Sequence, residues 1–124
     1  RLYWYTVEFG LIQTDAGLRL YGAGIVSSNA ESHFALEDPS PNRIGFDLRR
    51  IMRTRYRIDD FQQSYFVIDS FEQLLAQTTQ TDFAPLYADL VALPDYDTDT
   101  IAPEDRVLTR GTQAYARQKE EEPL

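Results

Sequence analysis

The stretch Arg1–Ile12, RLYWYTVEFGLI, decides how the rest of the chain is read. Eight of its twelve residues are apolar or aromatic (Leu2, Tyr3, Trp4, Tyr5, Val7, Phe9, Leu11 and Ile12), and a single carboxylate, Glu8, sits among them. On a helix, Glu8 has Trp4 and Tyr5 one turn before it and Leu11 and Ile12 one turn after. On a strand it shares a face with Trp4 and Thr6. Either geometry threatens to bury a charge, which costs several kcal/mol unless the carboxylate takes up a proton, meets a cation or binds a metal. No Lys or Arg lies at helical or strand spacing to relieve it. Two readings stand at this point: a partly exposed or Arg-paired structural Glu, and a functional carboxylate acting as metal ligand or acid/base.

Working outward, Gly10 closes this segment, and residues 1–9 read as the end of a helix. Thr14-Asp15-Ala16-Gly17 is a turn signal between two short apolar runs, Gly10–Gln13 and Leu18–Tyr21, which together predict a hairpin. Gly22-Ala23-Gly24 follows; it is either a tight bend or a place where backbone comes close to another group. It is not a phosphate loop, because no Lys or further Gly stands at the required spacing. Ser28 with Glu31 fits the S-x-x-E capping box of a short helix running through Leu36. On that reading Glu31 closes the cap. His33 is the only histidine and cannot build a metal site alone. Asp38–Asn42 reads as an extended loop.

From Phe46 the spacing predicts a helix with Phe46, Leu48, Ile51 and Met52 inward and Asp47, Arg49, Arg50 and Arg53 outward. The arginines at 49, 50, 53, 55 and 57 have Asp47, Asp59 and Asp60 close by, so they read as a solvated or ion-paired face. Ser64–Ile68 is a β-type run. Asp69 or Ser70 caps a helix bearing Phe71, Leu74 and Leu75, and Asp82 precedes an amphipathic helix with Phe83, Leu86, Tyr87, Leu90 and Val91 at i, i+3, i+4, i+7 and i+8. Beyond Pro94 the periodicity fades, and residues 94–124 read as an acidic irregular tail.

Composition limits the function classes. The chain has 124 residues, 43% of them hydrophobic, which suits one modest domain. A net charge of −8 argues against nucleic acid as a partner. There is no cysteine, so thiolate metal sites and disulfides are excluded; this fits a reducing, cytoplasmic setting. No apolar run approaches the roughly 18 residues of a membrane span. The chain opens without Met, inside its densest apolar stretch, which suggests the C-terminal part of something longer.

Several long motifs, YWYTVEFGL at Tyr3–Leu11, LRLYGAGIVSS at Leu18–Ser28 and YFVIDSFEQL at Tyr65–Leu74, resemble the pterin-dependent aromatic amino acid hydroxylases, nearest to the bacterial phenylalanine 4-hydroxylase type. The intervening GFDLRRIMRTRYRIDDFQ is similar in order and spacing. The resemblance implies that residues 1–93 are the C-terminal part of the hydroxylase catalytic domain, mainly α with short β-hairpin and strand segments. It implies a non-haem Fe(II) held by two histidines and one glutamate, a tetrahydropterin, O2, and L-phenylalanine as the substrate hydroxylated to tyrosine. Glu8 matches the glutamate ligand. The histidines belong to an HxxxxH stretch upstream of these motifs; it does not occur in this chain, which therefore holds one of three protein ligands and is expected to be inactive and to fold poorly without the remaining N-terminal part. Trp4 and Phe9 match aromatics of the substrate-ring pocket, and Tyr3 an aromatic on the pterin side. Gly24 and Ser27 match the loop against which the amino acid lies, and Glu31 a polar residue supporting that loop. Tyr56 and Ile58 match a strip near the pocket, where an apolar Ile58 favours phenylalanine over tyrosine. Tyr5 stands where Phe is common, and Asn29-Ala30 where a residue plus Gly is common. No heptad repeat is visible, so the parent is expected to be monomeric. A tyrosine or tryptophan hydroxylase is the alternative within the family, and a non-enzymatic aromatic-ligand binding module, with Glu8 paired to an Arg, the alternative outside it.

Overall fold

The computed structural model describes residues 1–121. It is organised around one central strand, β4 (Ser64–Ile68), whose sequence SYFVI is buried at every position. Alternation along a strand sends neighbouring side chains to opposite faces. Tyr65 and Val67 therefore enter one apolar cluster, with Leu11, Ile25, Phe34 and Ala35. Phe66 and Ile68 enter the other, with Tyr5, Ile44, Phe46, Leu48, Ile51, Leu86 and Leu90. A strand covered on both faces reads as a continuous apolar run, which this one is.

Around β4 the short strands join into one mixed five-stranded sheet, β2-β1-β4-β3-β5. β1 (Leu11–Thr14) and β2 (Gly17–Leu20) are the expected hairpin, antiparallel with Leu11 opposite Leu20. β1 and β3 (Asn42–Gly45) both run parallel to β4. β5 (Val107–Thr109) closes the far edge antiparallel to β3.

The helices carry the caps that the sequence indicates. Ser28 Oγ accepts from Glu31 N at the start of α2 (Asn29–Glu37), after a single turn, α1 (Ala23–Val26). Asp47 caps α3 (Leu48–Met52), Ser70 caps α4 (Phe71–Thr79) and Asp82 caps α5 (Phe83–Val91). Each cap satisfies an amide that the first helical turn leaves without a partner. No helix among the described residues is long and apolar enough to cross a membrane.

Three expectations are corrected. Asn42, expected to end a loop, instead begins the strand Asn42–Gly45, whose polar residues are buried because Asn42 and Arg43 find partners. Asn42 bonds Ser64 Oγ, Asp99 O and Gly111 N, and Arg43 bonds three carbonyls at the end of α2 (Phe34, Ala35 and Asp38). Arg50 does not face out. It is 5% exposed, paired with an equally buried Asp105 at 3.1 Å, bonded to Thr100 O and stacked over Tyr96. The stretch after Pro94 is acidic but not an irregular tail: it supplies β5, α6 (Ala114–Glu121), and the Asp105 carboxylate that neutralises Arg50. Its periodicity is weak because backbone pairing and polar anchors, rather than an apolar stripe, fix it. Glu122, Pro123 and Leu124, the last residues of the expected tail, lie outside the described residues.

Candidate functional site: the Glu8 carboxylate and its aromatic surround

Trp4–Glu8 forms a short π-helix, closed by Phe9 N donating to Trp4 O at 2.9 Å. The i→i+5 closure brings residues five apart over one another. Two pairings follow. Trp4 and Phe9 meet with ring centroids 4.8 Å apart. Tyr3 reaches Glu8, its hydroxyl donating to Oε1 at 2.9 Å. That hydrogen bond to the carboxylate pushes the Tyr3 phenol above its usual range. Trp4 also stacks on Tyr56 at 4.6 Å, so the aromatic wall draws on a residue far along the chain. Trp4 Nε1 is buried and has no partner among the described residues.

The second carboxylate oxygen of Glu8 faces Gly24. A Cβ on Gly24 would fall 2.4 Å from Glu8 Oε2, and one on Gly22 would fall 2.4 Å from the Glu8 carbonyl oxygen. Gly-Ala-Gly is therefore the close-approach reading made real: only glycine lets the start of α1 lie against both the carboxylate and its backbone. Ser27, exposed at the end of α1, donates to Gly24 O at 2.8 Å.

Glu31 lies apart from this group. Ser28 caps α2 as predicted, but the Glu31 carboxylate does not reach back to close the box. It is buried, and its Oε2 accepts from Tyr65 Oη at 2.5 Å and from Gln62 N at 3.3 Å. Burial raises its pKa, against the pull of the two hydrogen bonds. Ile58 is 73% exposed and belongs to neither apolar cluster. His33 lies on the outer surface of α2, with Nδ1 3.7 Å from Glu37 Oε2.

Chemically, the site offers one hard oxygen donor. Glu8 joins no ion pair among the described residues, so the Arg-paired reading of Glu8 fails. Its Oε2 carries no hydrogen bond there either, which leaves it able to bind a cation. No group of three or more His, Cys, Asp or Glu side chains among the described residues could hold a metal. The donor set thus fits one vertex of an iron site of the two-histidine, one-carboxylate type, and not the whole site. Two clefts, of about 580 and 540 Å³, lie elsewhere; Tyr3 borders the second, while Glu8, Trp4 and Phe9 line neither.

Of the residues the sequence singles out, the fold sets Tyr3 and Gly24 against Glu8 and pairs Trp4 with Phe9. Sequence reasoning missed the Tyr3–Glu8 pairing, since residues five apart do not meet on an α-helix. It also missed Tyr65 and Gln62 as the partners of Glu31; an unpaired acidic residue opposite a buried Tyr is a signal visible only once the strand and helix are packed.

The model of the biopterin-dependent aromatic amino acid hydroxylase family matches residues 1–91, and the chain belongs to that family. Within it, similar relatives are bacterial phenylalanine-4-hydroxylases. That of Caulobacter vibrioides is 68% identical over 94% of this chain and 39% of its own length, and that of Ralstonia nicotianae is 65% identical over 91% of this chain and 36% of its own. The crystal structure of Chromobacterium violaceum phenylalanine hydroxylase with bound oxidised Fe(III) superposes with a TM-score of 0.84 at 63% identity, covering 87% of this chain and 39% of that one. Its iron- and phenylalanine-bound form superposes with a TM-score of 0.83. The chain spans about two fifths of the length of the relatives it matches.

Proposed function

We propose that this chain is the carboxylate-bearing part of an iron- and tetrahydropterin-dependent monooxygenase that hydroxylates L-phenylalanine to tyrosine with O2. The observation that carries the proposal is the Glu8 carboxylate: one oxygen held by Tyr3, the other against Gly24, in the same short segment as the paired rings of Trp4 and Phe9 and with no ion-pair partner among the described residues. The names of the relatives and the iron and phenylalanine in the solved neighbours support the same reading.

Each residue then has a narrow task. Glu8 supplies one anionic oxygen ligand, and the low-dielectric aromatic surround makes its attraction for a dication stronger than at the surface. Tyr3 orients that carboxylate by holding Oε1, so that Oε2 is the oxygen presented. Its exposed ring is then free to meet the pterin. Trp4, Phe9 and Tyr56 form an apolar wall for the substrate ring and keep water from it. Gly24 lets α1 approach, and Ser27 offers a hydroxyl, now turned to Gly24 O, for the amino acid's polar end. Bound iron and pterin together supply the activation of O2 that places one oxygen atom on the ring. The other metal ligands and the remaining pocket walls come from the length of the relatives that this chain does not span.

Assaying a full-length hydroxylase carrying this chain with phenylalanine, tyrosine and tryptophan tests the substrate. The expected result is that kcat/KM is highest for phenylalanine and that the product is tyrosine. A preference for either of the other two would overturn it.

A further inference from the structure

Glu31 is a buried acidic group that the proposed reaction leaves without a task and that, unlike Asp105, has no arginine against it among the described residues. It is 6% exposed and joins no ion pair among the described residues. Keeping a carboxyl there costs desolvation, so the contacts it makes are informative. Both donors, Tyr65 Oη and Gln62 N, converge on the same oxygen, Oε2. Tyr65 lies on β4, beside β1, and β1 begins directly after the Glu8–Gly10 segment, with Leu11 opposite Val67. On the other side, Glu31 belongs to the first turn of α2, and that turn is tied to α1. Ser32 Oγ donates to Ile25 O at 2.7 Å, and Ser28 N donates to the same carbonyl at 3.1 Å. Ile25 is fully buried in the cluster that contains Tyr65. Its neighbour Gly24 is the residue pressed against Glu8 Oε2.

The connection therefore closes on itself: from Glu8 through β1 to β4, across the Tyr65–Glu31 bond to α2, and back through α1 to Gly24 and Glu8. We propose that Glu31 is a positioning residue, whose bonds to Tyr65 and Gln62 hold Gly24 and Ser27 at the distance from Glu8 that shapes the amino-acid pocket. Both of its side-chain hydrogen bonds are made within the protein, to Tyr65 and Gln62, so the role assigned is one of positioning. The inference rests on the reading of Gly24 and Ser27 as the wall of that pocket.

The test uses the full-length, iron-loaded hydroxylase with four variants, E31A, E31Q, Y65F and S27A. It reads the Kd for phenylalanine by calorimetry, the KM and kcat, and the melting temperature. A glutamine amide oxygen in the place of Oε2 accepts both hydrogen bonds, so E31Q matches the wild type in Kd. E31A and Y65F each raise Kd and KM about tenfold, the equivalent of one or two lost hydrogen bonds, while kcat changes much less. Y65F keeps the ring and its packing, so it answers the question even where E31A folds poorly. A Kd unchanged in Y65F and E31A, with only the melting temperature lowered, would overturn the positioning role, as would an E31Q that behaves like E31A. If S27A leaves the Kd unchanged, the pocket-wall reading falls and takes the inference with it. If S27A raises it while Y65F and E31A do not, the clamp alone is overturned.

Discussion

Glu8 was legible from the sequence because an isolated charge in an apolar run is energetically conspicuous. How it is held was not legible. A helix period of 3.6 puts Tyr3 and Glu8 on different faces, and only the π-helical closure of Trp4–Glu8 brings the hydroxyl to within 2.9 Å of Oε1. Nothing in the residue types announces that extra residue per turn. Gly24 is the opposite case: its need for close approach was one of two open readings, and the 2.4 Å between a would-be Cβ and Glu8 Oε2 decides it. Gly24→Ala must therefore displace either the carboxylate or α1. The expected outcome is a full-length protein with unchanged far-ultraviolet circular dichroism that retains iron at least severalfold less well after gel filtration. Wild-type iron content in this variant would mean that the close approach has no bearing on the site.

The secondary-structure elements divide according to what stabilises them. The hairpin, β4, α4 and α5 follow from alternation, capping residues and apolar stripes, all local signals. β3 and the inward turn of Arg50 do not, because their stability depends on polar partners 8 to 69 residues away. The Arg50–Asp105 pair joins α3 to the segment before β5, with side chains 5% and 3% exposed. Asp105→Ala strands a buried guanidinium, and urea unfolding is expected to register a loss of about 3 kcal/mol, the lower end for a broken buried pair because Thr100 O and Tyr96 still hold Arg50. A change below 0.5 kcal/mol would place Arg50 effectively in solvent. Glu31 gives a pH dependence. Its folded pKa is raised above the unfolded value of 4.5, chiefly by burial, so the native state binds more protons than the unfolded one between those two values. Stability from this group therefore falls as pH rises through that window. Relative to Glu31→Gln, which has no proton to lose, the wild type should lose stability as pH climbs from below 4.5 through the raised value. Parallel stability curves for the two proteins would contradict the shift.

At the scale of the whole molecule, the segment after Pro94 and the surroundings of Glu8 matter most. The acidic composition of residues 94–124 obscured an integral role: β5 pairs with β3, Asp105 neutralises Arg50, and Tyr96 lies between Arg50 and Arg53, 4.3 Å from each. Deleting everything after residue 93 is expected to abolish cooperative unfolding rather than trim a passive tail, as differential scanning calorimetry would record. Tyr3, Val7, Phe71, Leu75, Tyr87 and Val91 are exposed, and neither of the two clefts described above is lined by Glu8. Such exposed apolar side chains agree with a chain spanning 39% of a relative's length, in which Glu8 is proposed as one ligand of an iron site. The account stands or falls on that ligand. Iron content and phenylalanine hydroxylation measured side by side for a full-length hydroxylase carrying this chain and its Glu8→Ala variant test it most directly. The account predicts that the variant folds with wild-type circular dichroism but retains almost no iron and forms no tyrosine; full iron occupancy with undiminished tyrosine formation would contradict it.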